Sequence, residues 1–328
     1  MSAPEKNRVA EKIGVYCLAN DAALEWFQVF VRSFRKYNPT LPLTVIPYNT
    51  DMTWLKVLQE QFRFSIMDET TAARFDTIAT RVAGENNPGG TFRKLASFFG
   101  EYDVFIFLDS DIGVTMCFDE VFSAFENSTY DLVYFDTDLL VFKREFARKM
   151  MAEYNAFGFN SGAFLSRKTA INEAEIMTAV NSGEKIRGDF ALWGEQPFLN
   201  YLFQVSRRRL THINALLPDM AFKPKVWMPF DYNPARKCFL DPEQGRLPFI
   251  HWAGCEWPTL LRPEIFLRYR TLGMSEREQT RYRRKFYYRR FRANLKQSLQ
   301  KIPWLTGWLA KRDEHLRKKN AKPLALTK

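Results

Sequence analysis

The sequence has few cysteines, and none are arranged as a pair. Cys17, Cys117, Cys238 and Cys255 are scattered, with no CxxC spacing among them. This argues against a zinc ribbon or a thioredoxin-like motif and leaves free, buried thiols as the expectation. Long apolar runs are also missing: no stretch approaches the roughly 20 uninterrupted apolar residues of a membrane span. The opening Met1-Ser-Ala-Pro-Glu-Lys-Asn-Arg8 has no apolar leader core, so a cytoplasmic location is expected. Histidine is scarce, at three residues, and no internal repeat is present. Acidic residues are nearly absent from the C-terminal end. Ile265–Lys328 carries 19 Lys and Arg against 4 Asp and Glu, whereas the rest carries 29 against 33. The body is therefore slightly acidic and the basicity belongs to the tail, which excludes a nucleic-acid footprint over the whole protein.

The 328 residues and 46% hydrophobic content suit one large core or two small ones. The most informative stretch is Val104-Phe-Ile-Phe-Leu-Asp-Ser-Asp111. An unbroken apolar run ending in polar residues reads as a buried strand of a mostly parallel sheet. Ligands of open α/β sheets bind beyond the carboxyl ends of strands. Asp109 and Asp111 lie at that edge, and strand alternation would point both to one side. Two close carboxylates repel unless a cation lies between them, and oxygen ligands suit Mg²⁺ or Mn²⁺. A strand-end turn with two solvated aspartates is the plainer alternative.

Around this strand the pattern is α/β. Residues 13–19 read as the first strand. Asp21 is the expected N-cap of a helix from Ala22 to about Tyr37, with Leu24, Phe27, Val31 and Phe34 on one face. Leu43–Tyr48 reads as a strand, 53–62 as a helix and Phe64–Met67 as a short strand. This β-α-β-α opening implies parallel strands with right-handed crossovers. A loop at Gly84–Gly90 leads to a helix over Thr91–Phe99, capped by Thr91. Its first turn holds Arg93 and Lys94, where cations oppose the helix dipole, which leaves two readings open, an anion facing them or solvated charges. Residues 118–126 read as a helix and Leu132–Phe135 as a strand ending in Asp136-Thr-Asp138. Ala156–Ser166 follows with two glycines in a strand pattern, which suggests close backbone approach. Thr169–Asn181 and Phe190–Phe203 read as helices, 210–247 as irregular structure around a pocket, and Pro248–His251 as a last strand.

Taken in order, these pieces resemble a GT-A fold glycosyltransferase, closest to the family-8-like branch that uses nucleotide-diphospho-sugars. Asp109-Ser-Asp111 matches its DxD motif, Phe159-Asn-Ser-Gly-Ala163 its FNSG segment, Gly194-Glu-Gln-Pro-Phe-Leu-Asn200 its DQxxLN segment, and His251-Trp-Ala-Gly254 its HxxG segment. The resemblance spans roughly residues 12–262. It implies a Rossmann-like, mixed but mostly parallel sheet flanked by helices over residues 1–264, followed by a basic helical extension over 265–328. It implies Asp109, Asp111 and His251 as ligands of Mn²⁺ or Mg²⁺, and Ala19, Asn20 and Asp21 around the base and ribose. Arg93 or Lys94 and Ser110 would lie near the nucleotide, and Gly254 near a phosphate. Asn160 would bind the donor sugar, with Gln196 and Glu195 near the anomeric carbon. The implied reaction moves a sugar from a nucleotide diphosphate, UDP being expected, to a hydroxyl acceptor with retention. That acceptor would be a glycan, a lipid-linked sugar or a small molecule. Two departures stand out. Glu195 replaces the usual Asp, and Cys255-Glu-Trp-Pro258 lacks the family's Lys before Pro-Trp.

The alternative from another class is a haloacid-dehalogenase-like phosphatase, with Asp109 as nucleophile and Asp111 as acid/base. That fold opens with this strand, whereas two βα units precede it here. A catalytically inactive sugar-nucleotide-binding protein is the other alternative. In the tail, Arg281–Arg292 interleaves basic and aromatic residues and Ile302–Leu309 adds Trp and Leu. Such a composition suits a helix lying on an anionic membrane surface. Packing on the protein's own body competes with that reading, and nucleic acid is not an expected partner.

Overall fold

The structure is a computed structural model that describes residues 11–84, 89–137, 141–154, 158–190, 194–220, 225–236, 238–241 and 245–300. Its strands are β1 (Ile13–Ala19), β2 (Leu43–Pro47), β3 (Ser65–Ile66), β4 (Val104–Asp109), β5 (Ile112–Val114), β6 (Leu132–Tyr134), β7 (Ala163–Arg167), β8 (Leu210–His212), β9 (Asp231–Asn233), β10 (Cys238–Leu240) and β11 (Phe249–His251). Its helices are α1 (Leu24–Tyr37), α2 (Thr53–Phe62), α3 (Glu69–Ala73), α4 (Asp76–Ala83), α5 (Asp119–Glu126), α6 (Arg144–Tyr154), α7 (Glu173–Ile186), α8 (Glu195–Val205), α9 (Pro263–Arg270) and α10 (Glu276–Gln300). Two compact units result, Met1–Ala253 and Gly254–Lys328.

The first unit is built on a seven-stranded sheet in the order β3-β2-β1-β4-β7-β6-β8. Only β7 runs against its neighbours, so the sheet is mixed and mostly parallel. β4 lies at its centre, and its apolar run is continuous because both faces are covered. Phe105 and Phe107 enter one core with Phe98, Phe164 and Phe203, and Val104, Ile106 and Leu108 enter the other with Phe27, Phe30 and Val133. All five of these β4 residues are fully buried, each worth about 1.5–3 kcal/mol relative to exposure. Phe107 stacks on Phe164 of the adjacent strand at 5.3 Å.

Several local expectations are corrected by tertiary contacts. A 3-10 turn over Asp21–Ala23 precedes α1 and is capped by Asn20, whose side chain accepts from Ala23 N–H, while α1 itself starts at Leu24 without a side-chain cap. Asp21 instead caps α2, its carboxylate accepting from the N–H groups of Trp54 and Leu55. The segment Gly90–Phe99 is a 3-10 helix and not an α-helix, entered from Gly89 without a side-chain cap. α7 begins at Glu173 because Asn172 and Glu175 form a capping box. α8 begins at Glu195, after Gly194 turns the chain at φ 111°, a value that favours glycine. The stretch 210–247 is less irregular than expected: β8 joins the main sheet as its edge, and β9 and β10 pair antiparallel. Of the cysteines, Cys17 and Cys238 are buried, Cys255 is partly exposed and Cys117 is exposed.

In the second unit α10 packs Phe286 on Phe266 and Trp257, while Arg290 donates to the carbonyls of Pro258 and Leu260. Tyr288, Phe291 and Leu295 stay exposed. Ile302–Leu309 lies outside the described residues. Among the described residues no helix is long and apolar enough to cross a membrane.

Candidate metal centre

β4 ends at Asp109, and Ser110 and Asp111 form a turn into β5. The two carboxylates therefore converge through that turn and not by strand alternation. β5 pairs antiparallel with β11 so that Ile112 lies opposite His251. The far end of the sequence thus delivers the imidazole beside Asp111. Trp252 N–H, donating to the Asp111 carbonyl at 3.0 Å, holds the turn against the end of β11. Ligand atoms of Asp109, Asp111 and His251 lie within 4.8 Å of one another. His251 Nε2 is 3.2 Å from Asp111 Oδ1.

The residues fit a divalent cation in two respects. Two carboxylates with an imidazole form a borderline-hard donor set that suits Mn²⁺. The space above them is kept clear by Gly162: a Cβ there would fall 2.6 Å from His251 Cε1 and 2.7 Å from Asp109 Oδ2. Gly162 is placed by its neighbours. Its N–H donates to Asn160 Oδ1 at 2.8 Å, and its carbonyl accepts from Asp109 N–H at 2.8 Å.

Beside the carboxylates stands Lys94, which is buried. Its Nζ reaches Glu195 at 2.5 Å, Asp109 at 3.4 Å and the Ser161 carbonyl at 3.2 Å. Burial works against the ammonium, but the carboxylates of Asp109 and Glu195 outweigh it and hold its pKa up. Glu195 is likewise buried, yet the charge and hydrogen bond of Lys94 hold its carboxyl below the usual range. The aspartates divide. Burial raises Asp109, only partly offset by Lys94, while attraction and a hydrogen bond from His251 overcome burial and lower Asp111. The same pairing, against burial, raises His251.

α8 supplies the next layer. Ser161 N–H donates to Gln196 Oε1 at 3.0 Å, and Ser161 Oγ donates to Glu195 at 2.9 Å. Asn200, fully buried, clamps the chain entering this segment: its side chain accepts from Phe159 N–H and donates to the Phe159 carbonyl. The structure thus brings together Asp109, Asp111, His251, Lys94, Asn160, Glu195 and Gln196. Leu18 is paired in register with Asp109, so Ala19 and Asn20 lie at the same sheet edge. Ser110 sits in the turn itself. Asp21 is committed to the N-terminus of α2. Arg93 points elsewhere, to Asp76, Glu69 and the Pro47 carbonyl. Gly254, with φ 71°, opens the second unit.

Three participants were not singled out from sequence. Gly162 carries a signal, as the glycine of the Asn-Ser-Gly segment. Asp136 and Lys225, an ion pair at 2.9 Å, carry almost none. Lys225 comes from the aperiodic stretch and reaches the site through a parallel bridge to His251.

No protein-family model and no curated protein matches the chain. Solved structures do. The apo structure of the bifunctional glycosyltransferase WbbM aligns with 84% of this chain at 13% identity and a TM-score of 0.52. This alignment covers 52% of WbbM, so the chain spans about half the length of that protein. The apo glycosyltransferase GlyE of Streptococcus pneumoniae TIGR4 aligns at 15% identity and a TM-score of 0.49, over 84% of this chain and 63% of GlyE. The galactosyltransferase LgtC, in complex with donor and acceptor sugar analogues, aligns at 16% identity and a TM-score of 0.48, over 81% and 99% of the two chains. With its mixed seven-stranded sheet and the overlap with WbbM, this chain has the GT-A fold of nucleotide-sugar glycosyltransferases.

Proposed function

We propose that the protein is a metal-dependent glycosyltransferase that moves a sugar from a nucleotide diphosphate, UDP being the expected nucleotide, to a hydroxyl acceptor with retention of anomeric configuration. The observation that carries this reading is the Asp109–Asp111–His251 cluster at the carboxyl edge of β4, under the side-chain-free position of Gly162. Ligands of open α/β sheets bind at that edge. Asp109, Asp111 and His251 would hold Mn²⁺ or Mg²⁺, and the cation when bound would neutralise the diphosphate leaving group.

The chain's own residues do the positioning. Ala19 and Asn20 line the edge where the base and ribose would lie, with Ser110 in the turn. Lys94 holds the carboxyl of the buried Glu195 below its usual range and partly offsets the rise of Asp109, in a site that must also take a cation. Asn160 and the Ser161–Gln196 contact fix the segment that faces the donor sugar, and Gln196 and Glu195 flank the anomeric carbon. Pinning these groups to α8 and β7 removes reorganisation from the reacting step. The GT-A fold supports this reading over the phosphatase one.

The proposal extends to the tail. α10 carries nine Arg and Lys against two Glu, and Tyr287, Tyr288, Phe291 and Leu295 on it are exposed. Charge and exposed aromatic residues together support docking on an anionic membrane surface. This would make the protein a peripheral protein of a cytoplasmic membrane face.

The test is calorimetry of UDP, GDP and their sugar conjugates with Mn²⁺ and with EDTA, on the wild type and the Asp109→Ala/Asp111→Ala variant. Metal-dependent binding of one nucleotide, lost in the variant, is expected. No nucleotide binding, with hydrolysis of simple phosphate esters instead, would overturn the reading. Co-sedimentation with vesicles that does not depend on anionic lipid would remove the membrane part alone.

A further inference from the structure

The sheet order gives the site two sides. β1, with the Ala19–Asn20 edge, flanks β4 on one side, and β7 and then β6 lie on the other. If the nucleotide takes the β1 side, the reacting sugar and whatever attacks it meet on the β7–β6 side. A built cluster stands there that the donor reading does not use. Asp136 follows β6, and its main-chain carbonyl accepts from Asn160 N–H at 2.9 Å. Its carboxylate, 5% exposed, pairs with Lys225 Nζ at 2.9 Å. The Lys225 backbone runs beside the metal-binding histidine, with Val226 N–H donating to the His251 carbonyl at 2.9 Å. Nζ of Lys225 also lies 5.3 Å from the centre of the Trp227 ring. That ring is 49% exposed, and Met228 and Tyr232 next along the chain are 37% and 38% exposed. A cavity of about 310 Å³ continues the same stretch, lined by residues that include Pro229, Tyr232, Asn233 and Asp241.

We propose that Trp227 and the Lys225–Asp136 pair form the acceptor subsite, and that it takes the terminal pyranose of a neutral oligosaccharide. This rests on the donor reading above and narrows its acceptor. An indole face carries negative quadrupolar charge and complements the weakly positive C–H face of a pyranose. Lys225 orients the ring from one side. An ammonium has three donors, and the Asp136 contact uses one, so Lys225 also offers N–H groups to sugar hydroxyls. Because Asp136 balances its charge, the subsite selects a neutral sugar and not an anionic one. A second sugar residue would lie towards the chain that follows Trp227, where Pro229, Tyr232, Asn233 and Asp241 line a cavity, and this favours a glycan over a small alcohol. In this arrangement the terminal hydroxyl attacks the anomeric carbon. A C–O bond forms there as the bond to the diphosphate breaks, and the hydroxyl proton leaves with the nucleotide diphosphate.

The experiment uses the full chain with Mn²⁺ and the UDP-sugar that binds it. The acceptors are p-nitrophenyl glycosides of glucose, galactose, mannose and N-acetylglucosamine, their neutral disaccharides, and a glucuronide. Transfer to a neutral glycoside is expected, with KM lower for a disaccharide than for its monosaccharide. Trp227→Ala should raise that KM about 10-fold, and Trp227→Phe should restore most of it. The nucleotide dissociation constant, measured on each variant, reports that the fold and donor site are intact. An unchanged KM in Trp227→Ala overturns the proposal, as does preference for the glucuronide. Nucleotide binding with no transfer to any glycoside overturns it while sparing the donor reading. Failure to bind any nucleotide overturns the donor reading, and this proposal with it.

Discussion

Arg93 and Lys94 are neighbours in one 3-10 helix, both buried and both cations, yet they serve different regions. Arg93 donates to the Pro47 carbonyl at the end of β2, with its guanidinium shared between Asp76 and Glu69, whose side chains are 38% and 40% exposed. Lys94 faces inward over the Phe107 ring, with Asp109 and the nearly buried Glu195 as partners. The same local sequence thus yields a pin between structural elements and a counter-charge beside the candidate metal centre. What separates them is the water available to their partners. Carboxylates that reach solvent tolerate the loss of their cation, whereas a buried one does not.

The largest test of this contrast is Lys94→Met. It leaves Asp109 and Glu195 uncompensated and should cost about 3–5 kcal/mol of stability, read by chemical denaturation. Added Mn²⁺ should recover more stability in this variant than in the wild type, because the ion replaces the missing charge. Gly162→Ala should break the site without breaking the pin. Its methyl group intrudes on His251 and Asp109, and Mn²⁺ affinity by calorimetry should fall on the order of 10- to 100-fold with little change in melting temperature. Arg93→Met should cost about 1–3 kcal/mol, less than the lysine variant, and leave Mn²⁺ affinity as in the wild type. Equal losses for the two cations would dissolve the comparison.

The smallest effect concerns pH. Glu195 has its carboxyl held below the usual range, so its contribution is full above the unfolded value of about 4.3 and is lost as pH falls through its folded value. The stability gap between wild type and Glu195→Gln should be constant between pH 6 and 8 and shrink in acid. A gap that instead widened in acid would reverse the assigned direction.

Much of the scaffold was legible because it rests on local pattern. β1, β2, β4, α1 and α2 follow from apolar runs and helical spacing, and two-sided burial of β4 explains why its run never alternates. The errors sit where a side chain answered to a distant partner. Asp21 looks like the cap of the helix it precedes, but the free N–H groups it meets belong to α2. Residues 91–99 carry a helical pattern, yet they pack as a 3-10 helix that sends Arg93 and Lys94 to opposite sides. The candidate site was legible in its motif residues, from Asp109 to His251. Lys225 was not, because a lysine in an aperiodic stretch has no periodicity or spacing to mark it.

By itself the sequence determined the α/β class, the central strand and the carboxylates at its end, since burial pattern and turn chemistry are local properties. Tertiary structure alone decided which charges meet. It set His251 against Asp111 through the β5–β11 register, enclosed Lys94 between Asp109 and Glu195, cleared the space over Gly162, and drew Lys225 to Asp136. Those outcomes depend on strand pairing and exclusion of water between residues far apart in the chain, and no window of sequence contains both partners.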